Sequence, residues 1–167
     1  DPEVAERVLA QGDADLIGIG RGLIADPNWV RKVWYGREGE IRKCISCNIG
    51  CAGNRISSNI PIRCTVNPDV VGGDAYLQRR VNKPCNVVVI GGGTAGLEAA
   101  CTAAEVGCSV FLLEEKEELG GLSTVIAKIP EKRRLADFPH YLVQRAAKLK
   151  NLYVFTGTKA TADALAT

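Results

Sequence analysis

The sequence predicts an α/β fold whose C-terminal half is the first part of a Rossmann-like domain with a parallel sheet. Three observations predict it. A glycine-rich turn, Gly91-Gly92-Gly93-Thr94-Ala95-Gly96, separates an apolar run from an alanine-rich run. Four cysteines crowd between positions 44 and 64, in a stretch with little hydrophobic periodicity. Upstream of them the pattern reads helix, strand, helix.

The totals bound the function. A chain of 167 residues holds one ordinary domain or two small ones. Its apolar content of 46% is that of a globular chain and not a disordered one. A net charge of +2 and the lack of a dense basic stripe argue against nucleic acid as a partner. The short run Lys132-Arg133-Arg134 reads as a solvated helix face. No apolar run approaches the roughly 20 residues of a membrane span, so no membrane role is expected. Seven cysteines are an odd count, and most of them sit together; a reducing, cytoplasmic setting with a metal site fits better than a disulfide framework. The chain contains no methionine and opens without a signal pattern, so it is expected to be an internal piece of a larger enzyme.

Three zones follow in order. In residues 1–40, Val4, Val8 and Leu9 suggest an amphipathic helix ending near Gly12. Asp15-Leu16-Ile17-Gly18-Ile19-Gly20 reads as a buried strand, and Asp26-Pro27 as the cap and first turn of a helix. One such unit cannot bury both faces of its strand alone. Residues 41–83 are irregular and need a local staple. Residues 84–167 predict strands at 86–90, 109–113 and 152–155, with helices at 94–106 and 137–149, hence parallel pairing through crossovers.

The cysteine spacing is Cys44-x2-Cys47-x3-Cys51-x12-Cys64. Four thiolates suit either zinc or an iron–sulfur cubane. Zinc knots often use two CxxC pairs, and only one is present, so the spacing favours iron–sulfur. In the glycine turn, Gly91 permits the tight turn, Gly93 lets a pyrophosphate approach, and Gly96 allows close helix–strand packing. The amides that open the helix, at Thr94 and Ala95, face the phosphates. Glu114, at the end of the next strand, is placed for an adenosine ribose; Glu115 is the lesser candidate.

FAD and NAD share this fingerprint. The Gly120-Gly121 turn, six residues after Glu114, resembles the FAD-binding domain of two-dinucleotide flavoprotein reductases. With the cysteines upstream, nearly the whole chain resembles an internal stretch of the iron–sulfur members of the old yellow enzyme superfamily, such as 2,4-dienoyl-CoA reductase, enoate reductases and trimethylamine dehydrogenase. That resemblance implies three parts. Residues 1–40 would be the last β/α unit of an FMN-binding TIM barrel, with Gly20 and Arg21 at the FMN phosphate. Residues 41–83 would hold a [4Fe–4S] cluster on Cys44, Cys47, Cys51 and Cys64. Residues 84–167 would bind FAD. It further implies an NAD(P)H-dependent enzyme passing electrons from FAD through the cluster to FMN, to reduce an activated C=C bond of a small molecule. Amine oxidation in the same family, or a zinc-stapled NAD-binding module, are the alternatives. The isolated chain is expected to be inactive, and a homo-oligomeric parent enzyme is compatible with this reading. His140 is expected at the surface or in a structural role.

Overall fold

The structure, a computed structural model, describes residues 1–70 and 80–162. Residues 71–79 of the expected 41–83 segment and residues 163–167 of the expected Rossmann portion lie outside the described residues. The chain divides into two compact units, Asp1–Tyr76 and Leu77–Thr167.

The first unit contains α1 (Pro2–Ala10), α2 (Arg21–Ala25), α3 (Trp29–Trp34), a 3-10 turn at Glu38–Glu40 and a π-helical segment at Ile49–Ser57. Pro2 opens α1, where its missing N–H costs nothing. The strand expected at Asp15–Gly20 does not form, and Leu16 is 87% exposed. A parallel strand needs ladder partners, and the described residues of this unit include no strand. The expected β/α barrel unit is therefore corrected: among the described residues the sheet is a small open one in the second unit, not part of a closed barrel.

Polar side chains organise the first unit. Asp26 is 4% exposed and ends α2; it does not cap α3 as its sequence context suggests. Its Oδ1 accepts from the Asn28 amide at 3.0 Å. Its Oδ2 accepts from Lys32 Nζ at 2.5 Å and from the Arg42 amide at 2.9 Å. Asn67, 3% exposed, donates to the Ile24 carbonyl at 2.9 Å and accepts from Arg42 Nη1 at 2.8 Å. Asp26→Ala removes the acceptor of two amides and an ammonium. Leaving such donors unsatisfied costs about 1–3 kcal/mol. A urea unfolding transition of the variant is expected to shift down accordingly, and by less for Asp26→Asn, which keeps one acceptor.

The second unit has the order β1 (Asn86–Ile90), α4 (Thr94–Glu105), β2 (Ser109–Leu113), α5 (Leu122–Ile126), a 3-10 stretch at Pro130–Ala136, α6 (Asp137–Ala146) and β3 (Leu152–Phe155). The sheet is parallel with spatial order β1-β2-β3. Val87, Val110 and Leu152 share one row, and Val89, Leu112 and Val154 another, on the face that meets the helices. Leu97, Ala100, Cys101 and Ala104 of α4 and Leu142 and Ala146 of α6 complete that core. The opposite face carries Val88, Ile90, Tyr153 and Phe155, each between 44% and 62% exposed.

The two core helices are tied at their outer edge. Arg145 of α6 donates from Nε (2.7 Å) and Nη2 (2.6 Å) to Glu105, and from Nη1 (2.9 Å) to Glu98, both on α4. Burial works against the charge of Arg145, but the hydrogen bonds of Glu105 and Glu98 outweigh it and hold its pKa above the ordinary value. Arg145→Met keeps most of the stem and strands two carboxylates that are partly solvated. We expect a loss of about 1–2 kcal/mol, less than for a fully buried pair, read as a lower thermal midpoint that added salt does little to restore. Buried beneath these helices, the Cys101 thiol is pushed up to about 11 by desolvation.

Candidate functional site

The glycine turn joins β1 to α4 at the C-terminal ends of the strands, where open α/β sheets bind ligands. Gly91 has φ +101°, and its amide donates to the Leu113 carbonyl at 2.7 Å, tying the turn to β2. A Cβ on Gly96 would stand 1.9 Å from the Gly91 carbonyl oxygen, so the helix start and the turn touch backbone to backbone. Gly93 caps α4 with extended backbone, and the first-turn amides at Thr94 and Ala95 are not consumed within the helix. Because α4 runs 12 residues, its peptide dipoles add to that positive end.

A second turn closes over the first. The Gly120 amide donates to the Gly92 carbonyl at 2.8 Å, and Gly93 and Gly120 form a parallel bridge. Gly120 and Gly121 have φ +108° and +59°, a region that glycine enters without strain. A Cβ on Gly121 would lie 3.0 Å from the Gly93 Cα. The Thr94 and Ser123 hydroxyls meet at 3.0 Å across the same gap.

Glu114 binds this assembly from β2. Its side chain is 9% exposed. Oε1 accepts from the Lys116 amide at 2.9 Å, and Oε2 from the Gly92 amide at 2.5 Å. These hydrogen bonds, Lys116's first and Gly92's second, hold the carboxyl below its ordinary value. A carboxylate has about four acceptor positions, so acceptor capacity remains for a hydroxyl-bearing ligand.

The structure thus brings Gly91, Gly93, Thr94, Ala95, Gly96, Glu114, Gly120 and Gly121 into one neighbourhood. Sequence reasoning missed three members. Gly92 had no assigned role, yet its amide is the Glu114 donor and its would-be Cβ would fall 2.4 Å from Leu119. Ser123 and the Lys116 amide carry no motif. The run of three glycines was the available signal for Gly92. Glu115 is exposed, as is His140 on α6.

The cysteine segment lies in the first unit. Ser46 and Asn48 both have φ +57°, and the Gly53 amide donates to the Asn48 carbonyl at 2.8 Å, an i→i+5 bond that winds the π segment. Gly50 packs on Arg63: its carbonyl accepts the Arg63 amide at 2.6 Å, and a Cβ there would meet the Arg63 oxygen at 2.7 Å. Cys44, Cys47, Cys51 and Cys64 consequently line one pocket together with Arg21 and Thr65. The Cys47 thiol lies 3.2 Å from the Thr65 hydroxyl. Yet among the described residues no group of three or more Cys, His, Asp or Glu side chains is placed to hold a metal ion. The expected [4Fe–4S] centre, and the zinc staple that was its alternative, are corrected on that geometry. The spacing brings the thiols to one loop but does not aim them at one point.

Gly20 and Arg21 also stand differently from expectation. Gly20 precedes the five-residue α2 without a strand before it, and Arg21 Nη1 donates to the side chain of Asn48. The strand end that would have presented them to an FMN phosphate is not formed.

Residues 86–145 match the model of the FAD dependent oxidoreductase family. NADH oxidase of Thermoanaerobacter brockii is 46% identical over 166 residues, which cover 98% of this chain and 25% of that protein. A 2-naphthoyl-CoA reductase solved with 2-naphthoyl-CoA superposes with a TM-score of 0.92 at 33% identity, over 99% of this chain and 25% of its own. The 6-hydroxypseudooxynicotine amine oxidase of Pseudomonas geniculata N1 superposes with a TM-score of 0.88 at 31% identity, over 98% of this chain and 25% of its own. The chain spans about a quarter of the length of these relatives. The assignment to iron–sulfur members of the old yellow enzyme superfamily is corrected with the metal geometry, and the relay through a cluster to FMN and a C=C bond falls with it. Over nearly its whole length the chain is similar to the NADH oxidase and to the amine oxidase, and its residues 86–145 match the FAD dependent oxidoreductase family.

Proposed function

We propose that the second unit holds the adenosine diphosphate half of FAD within a larger oxidoreductase that oxidises a small amine. The carrying observation is the double glycine turn closed on Glu114. Gly96 and Gly121 let backbone approach backbone where a Cβ would crowd Gly91 or Gly93, and the α4 amides present positive charge at this double turn. A pyrophosphate fits that chemistry. Glu114, already fixed by two amides, offers its remaining acceptor positions to a ribose diol. Bound there, FAD supplies the two-electron acceptor, while these residues position it and take no part in bond breaking. The direction of reaction rests on the likeness to the amine oxidase.

The likeness to NADH oxidase favours a second reading, in which NADH is the electron donor to the same flavin. The purified parent polypeptide, mixed with a redox dye, separates the two. Dye reduction driven by small secondary or tertiary amines supports amine oxidation. Reduction driven by NADH alone, with no amine active, overturns it.

A further inference from the structure

We propose that Cys85 and Cys108 are a redox-active dithiol that closes to an intramolecular disulfide by exchange with a low-molecular-weight disulfide of the glutathione type. The two thiols lie 3.8 Å apart. They immediately precede the adjacent parallel strands β1 and β2, one position before the paired residues Asn86 and Ser109. The Ser109 amide donates to the Cys85 carbonyl at 3.1 Å, so the ladder already extends to this pair. Neighbouring strands run about 4.8 Å apart, inside the Cα range of roughly 4.4–6.8 Å that a disulfide spans. The two sulfurs are already in van der Waals contact across the start of the ladder.

Exposure assigns the two roles. Cys85 is exposed, whereas Cys108 is 4% exposed and belongs to the core. Only Cys85 is open to an external disulfide. Its thiolate attacks one sulfur of the small disulfide, forming a mixed disulfide and releasing one small thiol. The Cys108 thiol, losing its proton to solvent, then attacks the Cys85 sulfur and releases the second small thiol. The protein dithiol is oxidised by two electrons, and the small disulfide is reduced to two thiols. Its hydrogen bond with Cys108 holds the Cys85 thiol above the ordinary thiol value, which lowers the fraction of attacking thiolate. The third cysteine of this unit takes no part: Cys101 is fully buried, with its thiol against the Leu142 carbonyl at 3.7 Å.

The loop closed by this bond contains β1, the glycine turn and α4. The pair lies at the N-terminal end of β1, and the glycine turn follows its C-terminal end. Oxidation therefore staples the dinucleotide-binding βα unit at the end away from its ligand cradle. It should raise resistance to unfolding without changing FAD affinity more than about twofold.

The full chain, equilibrated in a buffer of oxidised and reduced glutathione, is analysed by intact mass and by peptide mapping without reduction. The expected product has lost two hydrogens and gives one peptide pair joined through Cys85 and Cys108. Cys108→Ser is expected to stop at a glutathione adduct on Cys85, and Cys85→Ser to leave Cys108 reduced. A stable adduct on Cys85 in the unsubstituted chain, or Cys85 joined to any other cysteine, overturns the proposal. The map of the unsubstituted chain decides even if a variant fails to fold.

Discussion

Gly96→Ala is expected to weaken FAD binding by about 100-fold or more, measured by titrating flavin into the apoprotein. The added methyl carbon would sit 1.9 Å from the Gly91 carbonyl oxygen. That neighbour is backbone, so no side-chain rotation relieves the clash. Either α4 retreats from β1 or the turn opens. Retreat lifts Leu97, Ala100 and Cys101 off the sheet, all of them fully buried. Opening breaks the Gly91–Leu113 bond and shifts the amides of Thr94 and Ala95. Overpacking of this kind costs about 3 kcal/mol at the upper end of its usual range, which corresponds to about 150-fold in an equilibrium constant. The same substitution at Gly18, where a Cβ would meet nothing within 4 Å, is the matched control and should leave flavin affinity unchanged.

Glu114→Gln is expected to reduce flavin affinity by about 10-fold or more and to flatten the acid limb of the stability profile. The carboxylate accepts from two amides, one on each oxygen. An amide side chain offers one carbonyl oxygen and turns its NH2 toward the other donor. One buried N–H is then unsatisfied, at a cost of about 1–3 kcal/mol. The pH dependence follows from the direction of the shift. Glu114 is held below its ordinary value in the folded chain by the Lys116 and Gly92 amides. Its contribution is therefore complete above the unfolded carboxyl value of roughly 4.3 and is lost as pH falls through the lower folded value. Denaturant midpoints between about pH 6 and pH 3 should fall more steeply in the unsubstituted chain than in the variant. Parallel profiles would show that Glu114 gains nothing from these amides.

Much of the second unit was legible in the sequence because its determinants are local. Asn86–Ile90 and Ser109–Leu113 are apolar β-branched runs between turn residues, and each forms its strand. The fingerprint around Gly91, Gly93 and Gly96 states a backbone requirement, and a Cβ on Gly96 would stand 1.9 Å from the Gly91 carbonyl oxygen. The crossover was less legible. Leu122–Ile126 and Pro130–Ala136 are short, and neither is long enough to show a helical period.

The first unit resisted for a different reason. Leu16, Ile17 and Ile19 have a strand's composition, but a strand is a pairing and not a property of six residues. The described chain offers them no ladder. The π segment at Ile49–Ser57 follows a period that neither helix nor strand patterning tests. Asp26 reads in sequence as a helix cap, and the sequence does not name its partners. Lys32 and Arg42, six and sixteen residues away, turn a cap candidate into a buried polar centre. The four cysteines show the limit of spacing. Ligand count and order along the chain do not fix where thiols point, and the folded loop gathers them around one pocket without a common metal-ion position.

The glycine turns and Glu114 are proposed to hold FAD. The most direct measurement is the flavin content of the purified parent polypeptide beside its Gly96→Ala variant, released by denaturation and identified by mass. FAD is expected to be bound stoichiometrically to the unsubstituted protein and largely lost from the variant. FAD retained equally by both, or a different dinucleotide released in its place, would contradict it.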